Sequence, residues 1–187
     1  IGMHPSLTTP PPSIGFPPNA SLLVLGQVPD TDVSLAGSQW AWEIGGCKDG
    51  TLPTFDLQQA VRTSQFVAES VQKQQLLAIH DIAEGGLAVA AAEMAIDSGF
   101  GAQIVDHCDH ISMFNESGGR FLAVVGDELL DDFLKDAKRH DVPAIQIGRT
   151  GGTSLNFGTE INIPVSELET AYRTELPEAL GLGTVNT

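Results

Sequence analysis

The stretch LLAIHDIAEGGLAVAAAEM, running from Leu76 to Met94, decides how the rest of the chain is read. Its opening run, Leu76, Leu77, Ala78 and Ile79, has the length and composition of a buried strand. The run delivers His80 and Asp81, then Glu84, Gly85 and Gly86. From Leu87 the pattern turns helical, with Leu87, Val89, Ala90, Ala91, Met94 and Ala95 supplying a broad apolar face. A strand that hands an acid and a glycine pair to a helix start is a common way to build a ligand site. The first helical turn offers free N–H groups and a partial positive charge, and glycine lets a phosphate approach the main chain. Asp81 and Glu84 could hold a metal ion. Equally, one of them could cap the helix while the glycines serve only packing.

Working outward, Thr54, Phe55 and Asp56 start a helix that runs to about Lys73, with Leu57, Val61, Ser64, Phe66, Val67 and Val71 as its inward stripe. Ser21 to Gly26 (SLLVLG) reads as a buried strand closed by glycine. Between them lie a polar loop from Asp30 to Ser38 and the pair Trp40 and Trp42. The tryptophans share one face of a strand or neighbour each other on a helix, and core or interface packing is their simplest use. Residues 1–20 hold six prolines, Pro5, Pro10, Pro11, Pro12, Pro17 and Pro18, which suit an extended linker or a surface arm.

Downstream of the central helix, Gly99 and Gly101 close it. Ala102 to Ile111 gathers Asp106, His107, Cys108, Asp109 and His110, but neighbours one or two apart diverge, and a solvated loop is expected. A second candidate site follows in Asn115, Glu116, Ser117, Gly118, Gly119 and Arg120, a compact polar turn before the strand Phe121 to Val125. An acid, a hydroxyl, two glycines and an arginine can accept, donate and approach a ligand closely. The plainer reading is a hairpin turn whose Glu116 and Arg120 are solvated. Asp127 to His140 is an amphipathic helix with Leu129, Leu130, Phe133, Leu134 and Ala137 inward, acidic at its start and basic at its end. Val142 to Gly148 is a strand whose Pro143 points to a sheet edge or a strand start. Gly151 and Gly152 turn the chain, Ser154 to Phe157 and Glu160 to Ile163 are short strands, and a last helix runs through Tyr172 and Arg173.

Composition narrows the partners. Nine Lys and Arg against 24 Asp and Glu leave a formal charge of −15, which repels a phosphate backbone, so nucleic acid is not an expected partner. A small phosphorylated ligand is not excluded, because backbone N–H groups and a bridging Mg²⁺ can hold it. No apolar run approaches the ~20 residues that span a bilayer, and no membrane partner is expected. Cys47 and Cys108 have no metal-type spacing and read as free thiols in a reducing, cytoplasmic setting.

Several ordered motifs together resemble one family. They are Leu25-Gly26, Gly37-Ser38, the string from His80 to Ala90, Asn115 to Phe121, and Ile147-Gly148-Arg149-Thr150-Gly151-Gly152. The chain resembles the C-terminal domain of the aminoimidazole ribonucleotide synthase superfamily over roughly Ser21 to Pro177. Within it the likeness is greatest to the last domain of the phosphoribosylformylglycinamidine synthase family. That resemblance implies an α+β fold, a mixed β-sheet with helices packed in layers, over residues 21–177, with a tail at 178–187. It implies a share in the ATP- and glutamine-dependent conversion of formylglycinamide ribonucleotide to its amidine, a ligase reaction of purine biosynthesis. The implied cofactors are Mg²⁺ and ATP, with ATP bound largely by domains absent from this chain. The implied partners are N-terminal-type and C-terminal-type domains of the same synthase, a glutaminase domain or subunit, and a phosphorylated small-molecule substrate.

The resemblance also assigns residues. The acid at Asp81 is expected to help bind Mg²⁺, and Glu116, Ser117 and Gly118 stand where the family's catalytic copy has a Glu-Ser-Gln turn against the substrate. Gly118 in place of glutamine points to a pseudo-site. The ligand-binding set is Asp81, Glu84, Gly85, Gly86, Glu116, Ser117, Gly118, Gly119 and Arg120. No catalytic residue is assigned, because no nucleophile–base pair is visible. The rival expectations are a non-catalytic scaffold that binds partner domains only, or a domain of another ATP-dependent member of the superfamily.

Overall fold

The computed structural model of the 187-residue chain describes residues 10–27, 35–46, 50–52 and 54–181. Residues 1–9 of the proline-rich arm, 28–34 of the polar loop, Cys47 and residues 182–187 of the tail lie outside the described residues. The strand β1 (Ser21–Leu25) is followed by the short helix α1 (Gln39–Glu43) and by α2 (Leu57–Gln72). Next come β2 (Ala78–Ile82), α3 (Gly86–Ser98), β3 (Ala102–Ile104), α4 (His110–Phe114) and β4 (Arg120–Val125). The chain continues through α5 (Asp127–Arg139), β5 (Ala144–Thr150), β6 (Ser154–Phe157), β7 (Ile161–Pro164) and α6 (Val165–Ala179).

The strands form one mixed sheet in the order β2-β4-β1-β5-β3-β6-β7. Every pairing is antiparallel except that of β3 with β6. Both faces of the central strands are covered, so they read as unbroken apolar runs instead of alternating ones. Along β1, Leu22 and Val24 enter a core with Leu87, Ala91 and Met94 of α3, while Leu23 and Leu25 enter a second core with Phe66 of α2 and Phe133 of α5. β4 splits in the same way, Leu122 and Val124 against Ala123 and Val125. The result is the expected α+β architecture with helices in layers. Phe66 and Phe133 anchor the second layer, tilted against each other with ring centroids 5.2 Å apart. The proline-rich arm contributes to the first layer through Phe16, which is buried and whose N–H donates to the Met94 carbonyl. Ser13 of the arm also bridges to Ala78 along the outer edge of β2.

Several local expectations change. β2 begins at Ala78, not Leu76, and extends through His80 and Asp81, because it pairs residue by residue with β4. In α2 the buried positions are Thr63, Phe66 and Ser70, with Val67 and Val71 packed on the same core, while Leu57 and Val61 are exposed. The segment expected as a solvated loop after Gly101 is partly β3 and partly α4. There Asp109 is spent as the N-cap of α4, accepting from the N–H groups of Ile111 and Ser112. Its bonds with Ser112 hold the Asp109 carboxyl below its ordinary pKa. β5 sits between β1 and β3, so Pro143 marks a strand start and not a sheet edge. Trp40 and Trp42 lie on a helix. Among the described residues no helix is long and apolar enough to cross a membrane.

The far end of the sheet is closed by an ionic clasp. Arg149 of β5 donates from Nη1 and Nη2 to the two carboxylate oxygens of Asp127, at 2.9 and 2.7 Å. The Ser21 hydroxyl donates to the same carboxylate at 2.8 Å. These hydrogen bonds from Arg149 and Ser21 hold Asp127 below the ordinary carboxylate pKa. A depressed acid stabilises the fold above its unfolded pKa of about 4 and loses that contribution as the pH falls through the folded value. Asp127→Asn is therefore expected to lower the thermal midpoint at pH 7. The gap from the wild type should close as the pH is taken well below 4, as melting curves across that range will read.

Candidate functional site

Strand pairing joins the two stretches that the sequence offers as separate sites. In the β2–β4 ladder Asp81 lies opposite Phe121 and Ile82 opposite Arg120. The turn before β4 therefore stands beside the turn after β2. β1 ends at the same place, with Leu25 opposite Phe121 and Gly26 packed so closely on Gly119 that a Cβ on Gly26 would stand 2.4 Å from the Gly119 carbonyl oxygen.

The start of α3 is built from two glycines in the left-handed region, Gly85 at φ 77° and Gly86 at φ 69°. This conformation favours glycine, and at Gly86 there is no room for anything larger. A Cβ there would meet the carbonyl oxygens of Met113 and Asn115, each at 2.7 Å. Neither Asp81 nor Glu84 caps the helix; both are exposed, and no side chain of the local turn bonds the cap. The capping acid comes from the other motif. Glu116 Oε1 accepts the Gly85 N–H at 2.8 Å and the Gln39 N–H at 2.7 Å. One carboxylate oxygen thus ties the starts of α3 and α1 to the turn before β4, through the short charge-assisted bonds such an acceptor makes.

The turn itself is internally braced. Asn115 is fully buried, its side-chain amide donating to the carbonyls of Ile111 and Ser112 and its Oδ1 accepting from the Ser117 N–H. Arg120 is 3% exposed, which corrects the reading of a solvated arginine in a hairpin turn. Its position opposite Ile82 in the ladder turns it inward. Nε donates to the Ser117 carbonyl at 2.9 Å and Nη2 to the Asn115 carbonyl at 2.8 Å. Burial pushes the guanidinium pKa down to about 10, which leaves it cationic at neutral pH. Ser117 Oγ is buried and has no hydrogen-bond partner among the described residues. Gly118 is exposed, with the Phe55 ring 3.3 Å from where its Cβ would be, and Gly119 packs on Ala60.

Two groups singled out by the sequence stand apart. The Ile147–Gly152 stretch belongs to β5 and its following turn, at the Ser21 end of β1 and so across the sheet from Gly26. The Asp106–His110 cluster is occupied locally, by a 3.3 Å contact of Asp106 with His107, the helix cap of Asp109, and packing of His110 on Trp40. Conversely, the contribution of Gln39 has no sequence signal, because it is made by the backbone. A partial hint was present in Ser38, whose hydroxyl caps α1 and so fixes where the Gln39 N–H lies.

The acid-bearing strand feeds a double-glycine helix start locked to a Glu-Ser-Gly-Gly-Arg turn on an antiparallel neighbour, and this brings together the motifs that resemble the C-terminal domain of the aminoimidazole ribonucleotide synthase superfamily. The chain belongs to that family: the model for the AIR synthase related protein C-terminal domain matches residues 20–158. Its curated relatives include phosphoribosylformylglycinamidine synthase subunit PurL of Parafrankia sp., 34% identical over 190 residues, covering 98% of this chain and 24% of the relative. The subunit PurL of Zymomonas mobilis is 33% identical over 150 residues, covering 78% of this chain and 20% of the relative. The chain therefore spans about a quarter or less of the length of these relatives. Among solved structures, T. maritima PurL complexed with FGAR superposes with a TM-score of 0.69 at 17% identity, over 87% of this chain and 30% of that one, a likeness of fold. The same protein has also been solved complexed with ATP.

Proposed function

We propose that this chain serves as a C-terminal-type domain of a phosphoribosylformylglycinamidine synthase, supporting the ATP- and glutamine-dependent conversion of formylglycinamide ribonucleotide to its amidine. The observation that carries this reading is the family match, coupled to curated PurL relatives that align along nearly the whole chain. Companion N-terminal-type and C-terminal-type domains, a glutaminase domain or subunit, and a cytoplasmic setting belong to the same proposal. In this reading Asp81, Glu84, Ser117, Gly118 and Gly119 face the ligand, while Gly85, Gly86, Glu116 and Arg120 frame the surface that presents them. ATP is held mainly by companion domains.

Mg²⁺ fits this arrangement only as a shared ion. Among the described residues no three His, Cys, Asp or Glu side chains gather into a cage. Mg²⁺ does not require one, because it is commonly held by one or two carboxylates together with substrate phosphates and waters. The exposed Asp81 carboxylate, next to the ordered Gly85–Gly86 turn, would be such a ligand. A scaffold role is the second reading, favoured by one observation: Glu116 and Arg120 are already engaged within the domain. The deciding experiment measures amidine formation by the complete synthase that carries this chain, wild type against Asp81→Asn. A fall in rate that excess Mg²⁺ partly restores supports a ligand-facing site. An unchanged rate leaves the domain as a scaffold, and absence of amidine formation by the wild type refutes the synthase assignment.

A further inference from the structure

We infer that Glu116 is a positioning residue that straps α1 onto the start of α3 and thereby withholds the Gly85 amide from outside anions. The inference goes beyond the proposed function, because it concerns how the domain holds itself together and stands whether or not the synthase assignment does.

α1 is five residues long, Gln39–Glu43, too short to be stable without tertiary support. Its buried member is Ala41, with only a methyl group to contribute. Its Trp40 packs onto the domain, with its ring 6.3 Å from that of Phe114 and 5.8 Å from that of His110. The first residue of α1 is tied to the turn before β4 by the Gln39 N–H to Glu116 Oε1 bond at 2.7 Å. The same oxygen takes the Gly85 N–H. A carboxylate can accept two such donors at once because it carries a full charge and several lone pairs. A neutral hydroxyl or a truncated side chain cannot do so with comparable strength.

The second consequence follows from satisfaction. The start of a 13-residue helix is the place where an external phosphate would be drawn by the dipole and by free donors. Here the donor at Gly85 is already matched by a fixed negative charge. The exposed acids Asp81 and Glu84 flank it and add repulsion toward a second anion. Glu116 is thus an internal anion that already occupies the Gly85 amide.

The test uses the chain itself, after urea unfolding has shown that each variant is folded. Amide hydrogen exchange at Gln39 and Gly85 is followed together with acrylamide quenching of tryptophan, since Trp40 and Trp42 are the two tryptophans of the sequence and both lie on α1. Glu116→Ala is expected to speed exchange at both amides by roughly tenfold to a hundredfold, matching the loss of hydrogen bonds to a charged acceptor, and to raise quenching. Glu116→Gln, which keeps one acceptor oxygen without the charge, should restore only part of the protection. In the wild type, millimolar inorganic phosphate or Mg-ADP should leave the Gly85 amide signal in place. Exchange at Gln39 and Gly85 in a folded Glu116→Ala variant that matches the wild type would overturn the strap. A phosphate-induced shift of the wild-type Gly85 amide would overturn the exclusion of outside anions. Neither readout depends on turnover, so loss of the synthase assignment leaves both interpretable.

Discussion

Gly86→Ala is expected to destabilise the domain by about 3–5 kcal/mol, enough to unfold much of it at 37 °C. Two penalties add. Left-handed backbone costs a non-glycine residue roughly 1–2 kcal/mol. The added methyl would also stand 2.7 Å from two backbone carbonyl oxygens, those of Met113 and Asn115, which belong to another element and cannot swing aside. Relief requires α3 to move off the α4–β4 connection, which breaks the Gly85 bond to Glu116 as well. Gly152→Ala is the control, since Gly152 has a similar φ of 74° but nothing within 4 Å of the added Cβ. It should show the conformational penalty alone, about 1–2 kcal/mol. Urea denaturation of the two variants reads the difference directly. Equal losses would mean that close packing at Gly86 contributes nothing.

Arg120→Met should be the next most damaging change, at about 3 kcal/mol. Methionine keeps most of the buried volume and removes the donors. The Asn115 and Ser117 carbonyls then lose their guanidinium partners inside the fold, each at roughly 1–3 kcal/mol, while relief from burying a cation returns part of that. Arg120→Lys should recover only part of the stability, because one ammonium group cannot reproduce the planar fork that reaches both carbonyls. The turn braced by Arg120 also carries Glu116. The double variant Arg120→Met/Glu116→Ala should therefore lose less than the sum of its parts, as residues acting through one element do. Strict additivity in the denaturation series would separate the two residues.

Much of the fold was legible because its elements announce themselves through period and punctuation. β1 and β4 are short apolar runs bounded by glycine, and α5 carries acids at its first turn, Lys138 and Arg139 at its last, and Phe133 and Ala137 inward. The αL glycine at Gly99 ends α3 where the sequence places it. The misses have a common cause. β2 starts two residues later than its apolar run suggests, and of the α2 stripe Phe66, Val67 and Val71 pack on the core while Leu57, Val61 and Ser64 are exposed, because each depends on which neighbour it meets. Pro143 pointed to an edge or a strand start, and only the sheet order could choose between them.

The candidate site was legible as residues and not as a structure. Local pattern determined that an acid, a glycine pair and a helix start follow one another at Asp81–Gly86, and that a polar Asn115–Arg120 turn precedes a strand. Chain order and residue type are sufficient for that, since backbone sterics and hydrogen bonding act over a few residues. What only the tertiary structure decided is which groups are used up inside the domain. The β2–β4 ladder brings the turns side by side, makes Glu116 the cap for a helix that begins about thirty residues earlier (Gly85 N–H at 2.8 Å), and turns Arg120 inward to brace its own turn. A carboxylate or guanidinium in a sequence carries its charge with it, but whether that charge meets a ligand or a buried amide depends on long-range packing, which sequence spacing does not encode.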